Sequence, residues 1–315
     1  MKRILFIGLI LGLVCGCSSL NSSSSEEIDY TIGMDNSYPV NDCLEDGNSQ
    51  KARVILLLGQ SNATGCSLID YLEKGVSEEE FKKYQDGFSN VLINYCLDNK
   101  TSTTDGKFKK VDLDCGIKEG YFGPELGMAE KLSSHYKDEK VYILKFTISG
   151  YSLNHHWLTN KERGEIYTSC LEFANTYLKY LDDKNYDVSV DAICWMQGES
   201  DTTEEKASRY YDNQKAFVSY LREDLSKYQN ENGIYFIDAG ISSSPYCLPS
   251  YPEINEAKVK FSKDSHLNIY FPTIENGLTT LYEPVEEPDL GHYDALSELK
   301  LGHLFGEAII NNIKK

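Results

Sequence analysis

The regular alternation of apolar runs with amphipathic stretches constrains the fold of this 315-residue chain more than any other feature. The apolar runs are continuous, as expected for strands that are buried on both faces. Such alternation predicts a central, mostly parallel sheet with helices on both sides, a three-layer α/β/α sandwich. The predicted strands are Arg53–Leu58, Val91–Leu97, Val141–Thr147, Val188–Met196 and Ile234–Ala239.

The stretches between these strands carry apolar residues at helical spacing. Helices are predicted from Pro124 onward and over Glu165–Leu181, Lys206–Tyr228 and Ala295–Ile313. The polar segment 99–120 is expected to form a loop or small hairpin. The proline-rich segment 242–288 is expected to be an irregular insertion near the functional edge of the sheet. With no internal repeat, the sequence indicates one domain over residues 53–315.

The N-terminus has the layout of a secretory signal: a basic start, a short apolar run and small residues. The Gly before Cys17 resembles the lipobox of bacterial lipoproteins. The resemblance implies a signal peptide over residues 1–16, cleavage before Cys17 and lipid on its thiol. The expected location is therefore extracytoplasmic, anchored to a bacterial membrane. An ordinary signal peptide stays the alternative, and Cys15 fits less well because it follows Val14.

Residues 17–52 are predicted to be the lipidated cysteine and a flexible tether, because they are polar and lack apolar periodicity. The formal net charge of −18 argues against nucleic acid as a partner, since phosphate binding needs a basic surface. The absence of a CxxC pair removes the usual spacing of a zinc or redox site. Cys194 is expected to be a core thiol, and a Cys96–Cys115 bridge is left open. The sequence does not indicate an oligomeric state.

A serine stands directly after the first predicted strand, in Gly59-Gln60-Ser61-Asn62. The carboxyl ends of parallel strands are where functional groups gather. The preceding glycine permits a tight turn like the Gly-x-Ser-x-Gly elbow, and the serine can then be a nucleophile. The alternative is a serine that caps a helix.

A nucleophilic serine needs a base, and His292 is the best placed of the six histidines. It precedes the last predicted helix, and Asp289 lies three residues before it. This spacing lets the carboxylate hold one ring nitrogen, which leaves the other free to take the serine proton.

Two further strands end in groups that can stabilise an oxyanion. Gln197, in Trp195-Met196-Gln197-Gly198-Glu199-Ser200-Asp201, offers a side-chain amide, and Gly150, in Ser149-Gly150-Tyr151, offers a backbone N–H. Ordinary turn and capping chemistry is the alternative for both.

Taken together, these blocks resemble the SGNH (GDSL-like) hydrolases, in particular their sialate O-acetylesterase and acetylxylan-esterase group. A further matching block is Gly123-Pro124-Glu125-Leu126-Gly127-Met128-Ala129. The resemblance implies hydrolysis of acetyl esters on carbohydrates, without a cofactor or metal. An acetylated glycan, of the sialic acid or xylan type, would be the substrate.

The resemblance also implies roles for individual residues. Ser61, His292 and Asp289 match the catalytic triad, and Ser61 N–H, Gly150 N–H and the Gln197 side chain match the oxyanion donors. Asn62, Glu125 and Glu199 would support these groups by hydrogen bonds, and Glu199 is the fallback for orienting the histidine.

One block departs from the family pattern, because Ser149-Gly150-Tyr151 stands where Gly-Gly-Thr is usual. Tyr151 would crowd the acyl pocket or contact the sugar. Two rival functions stay open: a non-catalytic glycan-binding lipoprotein, and an esterase for lipid or aryl esters.

Overall fold

A computed structural model describes residues 30–283 and 289–313. The strands in chain order are β1 (Lys51–Gly59), β2 (Ser67–Leu68), β3 (Phe88–Leu97), β4 (Ser102–Thr103), β5 (Lys109–Val111), β6 (Tyr121–Phe122), β7 (Lys140–Thr147), β8 (Leu158–Thr159), β9 (Glu162–Arg163), β10 (Asp187–Met196), β11 (Tyr235–Ala239) and β12 (Asn268–Phe271). The α-helices are α1 (Ser61–Thr64), α2 (Ile69–Gly75), α3 (Glu78–Asp86), α4 (Glu125–His135), α5 (Glu165–Asp183), α6 (Glu204–Ala207), α7 (Tyr210–Asp224), α8 (Tyr251–Ser262) and α9 (Ala295–Asn312).

The central sheet has the order β12-β11-β10-β1-β7-β3-β4, and β5 also pairs with β3. All pairs from β12 to β3 are parallel, and only β4 and β5 run antiparallel at the edge. Every residue of β1 after Lys51 is buried, so both faces of the central strand are covered. The helices flank this sheet, and the predicted α/β/α fold with a mostly parallel sheet is confirmed.

Each predicted strand is present within three residues of its expected ends. The prediction of one helix over Lys206–Tyr228 is wrong. The helix is interrupted between α6 and α7, and a separate 3-10 turn, Ser226–Tyr228, follows α7. The prediction of an irregular insertion over 242–288 is wrong in part. This segment contains α8 and the sheet strand β12, which is only four residues long and therefore gives a weak periodicity signal.

The part of the predicted tether that the structure describes, residues 30–50, is packed on the domain along α5; we call it the strap. The Glu165 carboxylate accepts a hydrogen bond of 2.6 Å from the Ile32 N–H. The Tyr180 hydroxyl accepts hydrogen bonds of 2.9 and 3.0 Å from the N–H groups of Cys43 and Leu44. The prediction of a flexible tether is therefore wrong for residues 30–50. Side chains of α5 hold the strap backbone, and apolar periodicity does not report such contacts. Cys17 and the signal lie outside the described residues.

The described cysteines are all free thiols. Cys194 is fully buried in β10, as predicted for a core thiol. Cys96 and Cys115 are both buried and unbridged, so the disulfide that the sequence left open is not formed. None of the helices in residues 30–283 and 289–313 combines the length and apolar character that a membrane span requires.

Candidate active site

Ser61 lies at the carboxyl edge of the sheet, immediately beyond β1. The chain turns there at Gly59, whose φ of +146° and close approach to β10 both require glycine: a Cβ would lie 2.0 Å from the Met196 carbonyl oxygen. Ser61 is the first residue of the short helix α1, and Gln60 occupies the capping position. The alternative of a capping serine is therefore excluded. As the first helical residue, Ser61 has an N–H without an intrahelical acceptor.

His292 and Asp289 form the predicted pair. The Asp289 Oδ2 lies 2.6 Å from His292 Nδ1, and its Oδ1 accepts a hydrogen bond of 2.9 Å from the Gly291 N–H. Partial burial alone raises the pKa of Asp289, but the hydrogen bonds from His292 and Gly291 outweigh it and hold this pKa below its usual range. Asp289 therefore stays ionised at neutral pH and holds the imidazole through Nδ1, so that Nε2 is not engaged by this carboxylate.

Asn62 connects the serine turn to the histidine loop. Its Oδ1 accepts a hydrogen bond of 3.1 Å from the Tyr293 N–H, and its Nδ2 donates one of 2.7 Å to Glu199 Oε1. The Tyr293 carbonyl accepts a further bond of 2.7 Å from Ser67 Oγ. The residues that follow Ser61 and His292 are thus bonded to each other. Glu199 contacts Asn62, and the acid on His292 Nδ1 is Asp289.

Gln197 lies directly after β10 and is fully buried. Its Nε2 donates hydrogen bonds of 2.6 Å to Asp201 and 3.3 Å to the Tyr151 carbonyl, and its Oε1 accepts one of 3.0 Å from the Tyr210 hydroxyl. Both amide hydrogens are therefore engaged. The long bond to Tyr151 is the weaker of the two, so it is the one that an oxyanion can replace. The oxyanion role of Gln197 stays a prediction, and it requires that the oxyanion replace the Tyr151 carbonyl as the acceptor of this Nε2 hydrogen.

Gly150 is exposed on the loop after β7. Its φ is +80°, and a Cβ placed on it would meet no atom within 4 Å, so the space beside it is open. Ser149, on its N-terminal side, is held by Asp98, which accepts hydrogen bonds of 2.6 Å from the Ser149 N–H and 3.0 Å from its Oγ. Ser149, which stands where the family usually has glycine, therefore anchors this loop through its side chain.

Glu125 supports the serine turn through Lys145. It forms a fully buried ion pair with Lys145, with 2.5 Å between Oε2 and Nζ. Lys145 also donates hydrogen bonds of 2.9 Å to the Thr64 carbonyl and 2.8 Å to the Cys115 carbonyl. Glu125 thus reaches α1 through the lysine and not through Ser61 itself.

Sequence reasoning missed Asp98 and Tyr210, and it considered Asp201 only as a possible helix cap. Asp201 accepts hydrogen bonds from Gln197 and from the N–H groups of Leu153 and Asn154, so it joins the loops after β7 and β10. Burial raises the pKa of Asp201 above its usual range, although these hydrogen bonds oppose the shift. Asp98 had a signal, because it directly follows a strand. Tyr210, inside a helix, had none. No group of three His, Cys, Asp or Glu residues among those described is arranged to hold a metal ion.

A family model described as "Carbohydrate esterase, sialic acid-specific acetylesterase" matches residues 51–311. Among solved structures, a protein from Arabidopsis thaliana aligns with a TM-score of 0.59 at 18% identity, covering 83% of this chain and 99% of that one. NanS aligns with a TM-score of 0.58 at 14% identity, covering 84% and 98%. A carbohydrate acetylesterase from Xanthomonas citri aligns with a TM-score of 0.52 at 12% identity, covering 82% and 56%. At these identities the likeness is one of fold. No curated protein shows significant sequence similarity to the chain.

Proposed function

Because the chain belongs to the carbohydrate esterase family of sialic acid-specific acetylesterases, we propose that it is a serine esterase that removes O-acetyl groups from carbohydrates. Ser61, His292 and Asp289 are its catalytic triad. The substrate is an acetylated glycan of the sialic acid or xylan type.

In the proposed reaction, His292 Nε2 takes the proton of Ser61 while Ser61 Oγ attacks the acetyl carbonyl carbon. The carbonyl oxygen becomes an oxyanion, which accepts hydrogen bonds from the N–H groups of Ser61 and Gly150 and from Gln197 Nε2. The C–O bond to the sugar then breaks, and the sugar oxygen leaves with the proton from His292. Water, deprotonated by His292, attacks the acyl-enzyme; acetate leaves and Ser61 regains its proton.

The observation that carries this proposal is the set of hydrogen bonds around the two loops. Asp289 occupies Nδ1 of His292 at 2.6 Å, and Asn62 bonds the backbone of Tyr293 at 3.1 Å. The first contact leaves Nε2 as the base. The second joins the loop that carries this base to the turn that carries Ser61.

The test is the rate of p-nitrophenyl acetate hydrolysis by the purified protein and by Ser61→Ala. We expect the variant to lose essentially all activity, since the triad acts as a unit. Ser208→Ala, which changes an exposed helix-end serine, is the matched control and should keep the wild-type rate. Wild-type activity in Ser61→Ala, at an unchanged melting temperature, contradicts the proposal. Acetate release from acetylated sialic acid, acetylated xylo-oligosaccharide and short-chain aryl esters then ranks the substrates.

We also propose that the mature protein begins at a lipidated Cys17. The support is the sequence alone: a basic start, an apolar run and Gly16 before the cysteine. Two acyl chains on one residue suffice for stable membrane anchoring. The test is detergent phase separation of the protein expressed in a bacterial host. The Cys17→Ser variant should move from the detergent phase to the aqueous phase, whereas Cys15→Ser should stay in the detergent phase. Aqueous partitioning of the wild type is the contrary result.

A further inference from the structure

An exposed tyrosine is held beside the loop that carries His292. The short 3-10 turn Pro245–Cys247 presents Tyr246 with 72% of its surface exposed, although the neighbouring Ser244 and Cys247 are buried. Ser244 Oγ donates a hydrogen bond of 2.6 Å to the Leu290 carbonyl and accepts one of 3.2 Å from the Tyr246 N–H. The turn that carries Tyr246 is therefore bonded to the histidine loop, while the Tyr246 ring is exposed.

The Tyr246 ring lies against Gly291, which directly precedes His292. A Cβ placed on Gly291 would lie 3.4 Å from Tyr246 Cδ2. In the proposed reaction, His292 gives its proton to the departing sugar oxygen, whereas the acyl oxygen faces Gly150 and Gln197. In that reaction the sugar lies on the His292 side of Ser61, and Tyr246 lies beside the residue that precedes His292.

Other exposed apolar side chains lie in the C-terminal part of the chain. They are Leu248 at 56%, Leu281 at 58%, Tyr282 at 79% and Leu296 at 49% exposed. Among the described residues, only Val40 of the exposed large apolar side chains lies elsewhere in the sequence. Tyr282 and Leu296 line one cavity with the first residues of α9, and exposed apolar side chains that share a cavity mark a binding surface.

The charge of these segments selects the kind of ligand. Residues 242–257 and 289–299, which hold Tyr246 and the histidine loop, contain no lysine or arginine, and Asp289 lies beside Gly291 together with Tyr246. Lys74 and Lys300 line a cavity with Tyr282 and Leu296, which includes neither Tyr246 nor His292. A carboxylate on a sugar that stacks on Tyr246 would find no cationic partner on these two segments and would meet the like charge of Asp289. An anionic lipid surface would be disfavoured for the same reason. A neutral, hydroxyl-rich ring has no such penalty.

We propose that Tyr246 is the stacking platform for a neutral sugar ring of the leaving group, and that the enzyme therefore prefers neutral acetylated glycans to acidic ones. This inference rests on the proposed function. It adds a specificity residue and narrows the substrate class.

The test compares Tyr246→Leu, which removes the ring at similar bulk, with Tyr246→Phe, which keeps it. The measured quantity is kcat/KM on acetylated xylo-oligosaccharide divided by kcat/KM on ethyl acetate, an ester whose alcohol has no ring to stack. We expect this ratio to fall about two- to thirteenfold in Tyr246→Leu, because an aromatic contact is worth about 0.5–1.5 kcal/mol and 1.36 kcal/mol is tenfold. In Tyr246→Phe the ratio should stay within about twofold of the wild type. Tyr211→Leu, at a half-buried tyrosine on α7, is the control and should not change it.

An unchanged ratio in Tyr246→Leu overturns the platform, even when ethyl acetate is hydrolysed normally. Loss of liposome binding in that variant at an unchanged ratio would assign the ring to a membrane and also overturns it. Failure of the proposed function has a different signature: Ser61→Ala would then hydrolyse ethyl acetate like the wild type.

A separate experiment tests the preference for neutral over acidic glycans. The wild type should release acetate from the carboxyl methyl ester of an O-acetylated sialic acid with a higher kcat/KM than from the free acid. The difference should shrink as salt is added, because screening weakens like-charge repulsion. Equal rates, or a preference for the free acid, contradict the choice of a neutral substrate.

Discussion

Asn62 accepts a hydrogen bond of 3.1 Å from the backbone N–H of Tyr293, so the residue after the proposed nucleophile holds the residue after the proposed base. The other end of the same amide donates to Glu199 at 2.7 Å. One buried side chain therefore connects three segments: the turn after β1, the loop after β10 and the histidine loop before α9.

Replacing Asn62 should loosen this arrangement. We expect Asn62→Ala to lower kcat by about a hundredfold, because a displacement of the catalytic groups by about 1 Å can have that effect. The melting temperature should also fall, since the variant leaves the Tyr293 N–H and Glu199 without their partner. Asn312→Ala, at the exposed end of α9, is the control for both readouts. A stable Asn62→Ala protein with the wild-type kcat would exclude a positioning role.

The two candidate orienting acids give different expected effects. Asp289→Asn should lower kcat on the order of 10³- to 10⁴-fold, because an amide that donates to Nδ1 favours the wrong imidazole tautomer. Glu199→Gln should have a much smaller effect, since Glu199 acts on Asn62. The measurement is kcat for both variants on p-nitrophenyl acetate. The reverse order of effects would assign the orienting role to Glu199.

The Tyr210 hydroxyl should act on catalysis through Gln197. Gln197→Ala is expected to lower kcat about 10²- to 10³-fold, as for other oxyanion donors. Tyr210→Phe removes the hydrogen bond that orients the amide and should lower kcat about tenfold. If Tyr210 acts through Gln197, the double variant should be no slower than Gln197→Ala alone. Multiplicative effects in this cycle would mean that the two residues act separately.

Glu130 should make the stability of the protein depend on acid pH. Burial alone raises the pKa of Glu130, but hydrogen bonds from His303 and Lys83 outweigh it and lower this pKa to about 2. A pKa depressed by folding stabilises the protein above the unfolded value of about 4.3, and this stability is lost as the pH falls toward 2.

Glu130→Gln should therefore lower the melting temperature at pH 7, and the difference from the wild type should disappear as the pH approaches 2. Thermal unfolding monitored by circular dichroism across this range checks the prediction. Glu307→Gln, at an exposed ion pair with Lys131, is the control and should show little difference at any pH. A difference for Glu130→Gln that does not change with pH contradicts the assignment.

The sequence predicted the features that depend on local pattern. Continuous apolar runs located the parallel strands, and the position of Ser61 after β1 followed from the rule that functional groups gather at the carboxyl ends of strands. The three-residue spacing of Asp289 and His292 gave their contact directly. Their relation to Asn62 is not local, because more than two hundred residues separate Asn62 from Tyr293.

The features that the sequence missed depend on long-range contacts between polar groups. Asp98 and Asp201 hold loops through backbone N–H groups, and neither contact leaves a periodic signal. The strap has the composition of a flexible linker, yet Glu165 and Tyr180 of α5 supply acceptors for its N–H groups. Hydrogen bonds from a distant helix can thus order a polar segment that composition alone classifies as unstructured.

The course of the strap also bears on where such an enzyme can work. Its first described residue, Tyr30, stacks on His155 with 4.3 Å between ring centroids, on the turn that follows the Gly150 loop. Cys17 precedes Tyr30 by thirteen residues, and a fully extended chain of that length spans about 45 Å. With a lipid on Cys17, the chain between Cys17 and Tyr30 would join the domain near the carboxyl edge of the sheet, which carries Ser61, and not near the opposite edge. Polysaccharide lying close to the cell surface would then be within reach, whereas polymer in the surrounding medium would have to approach the envelope first.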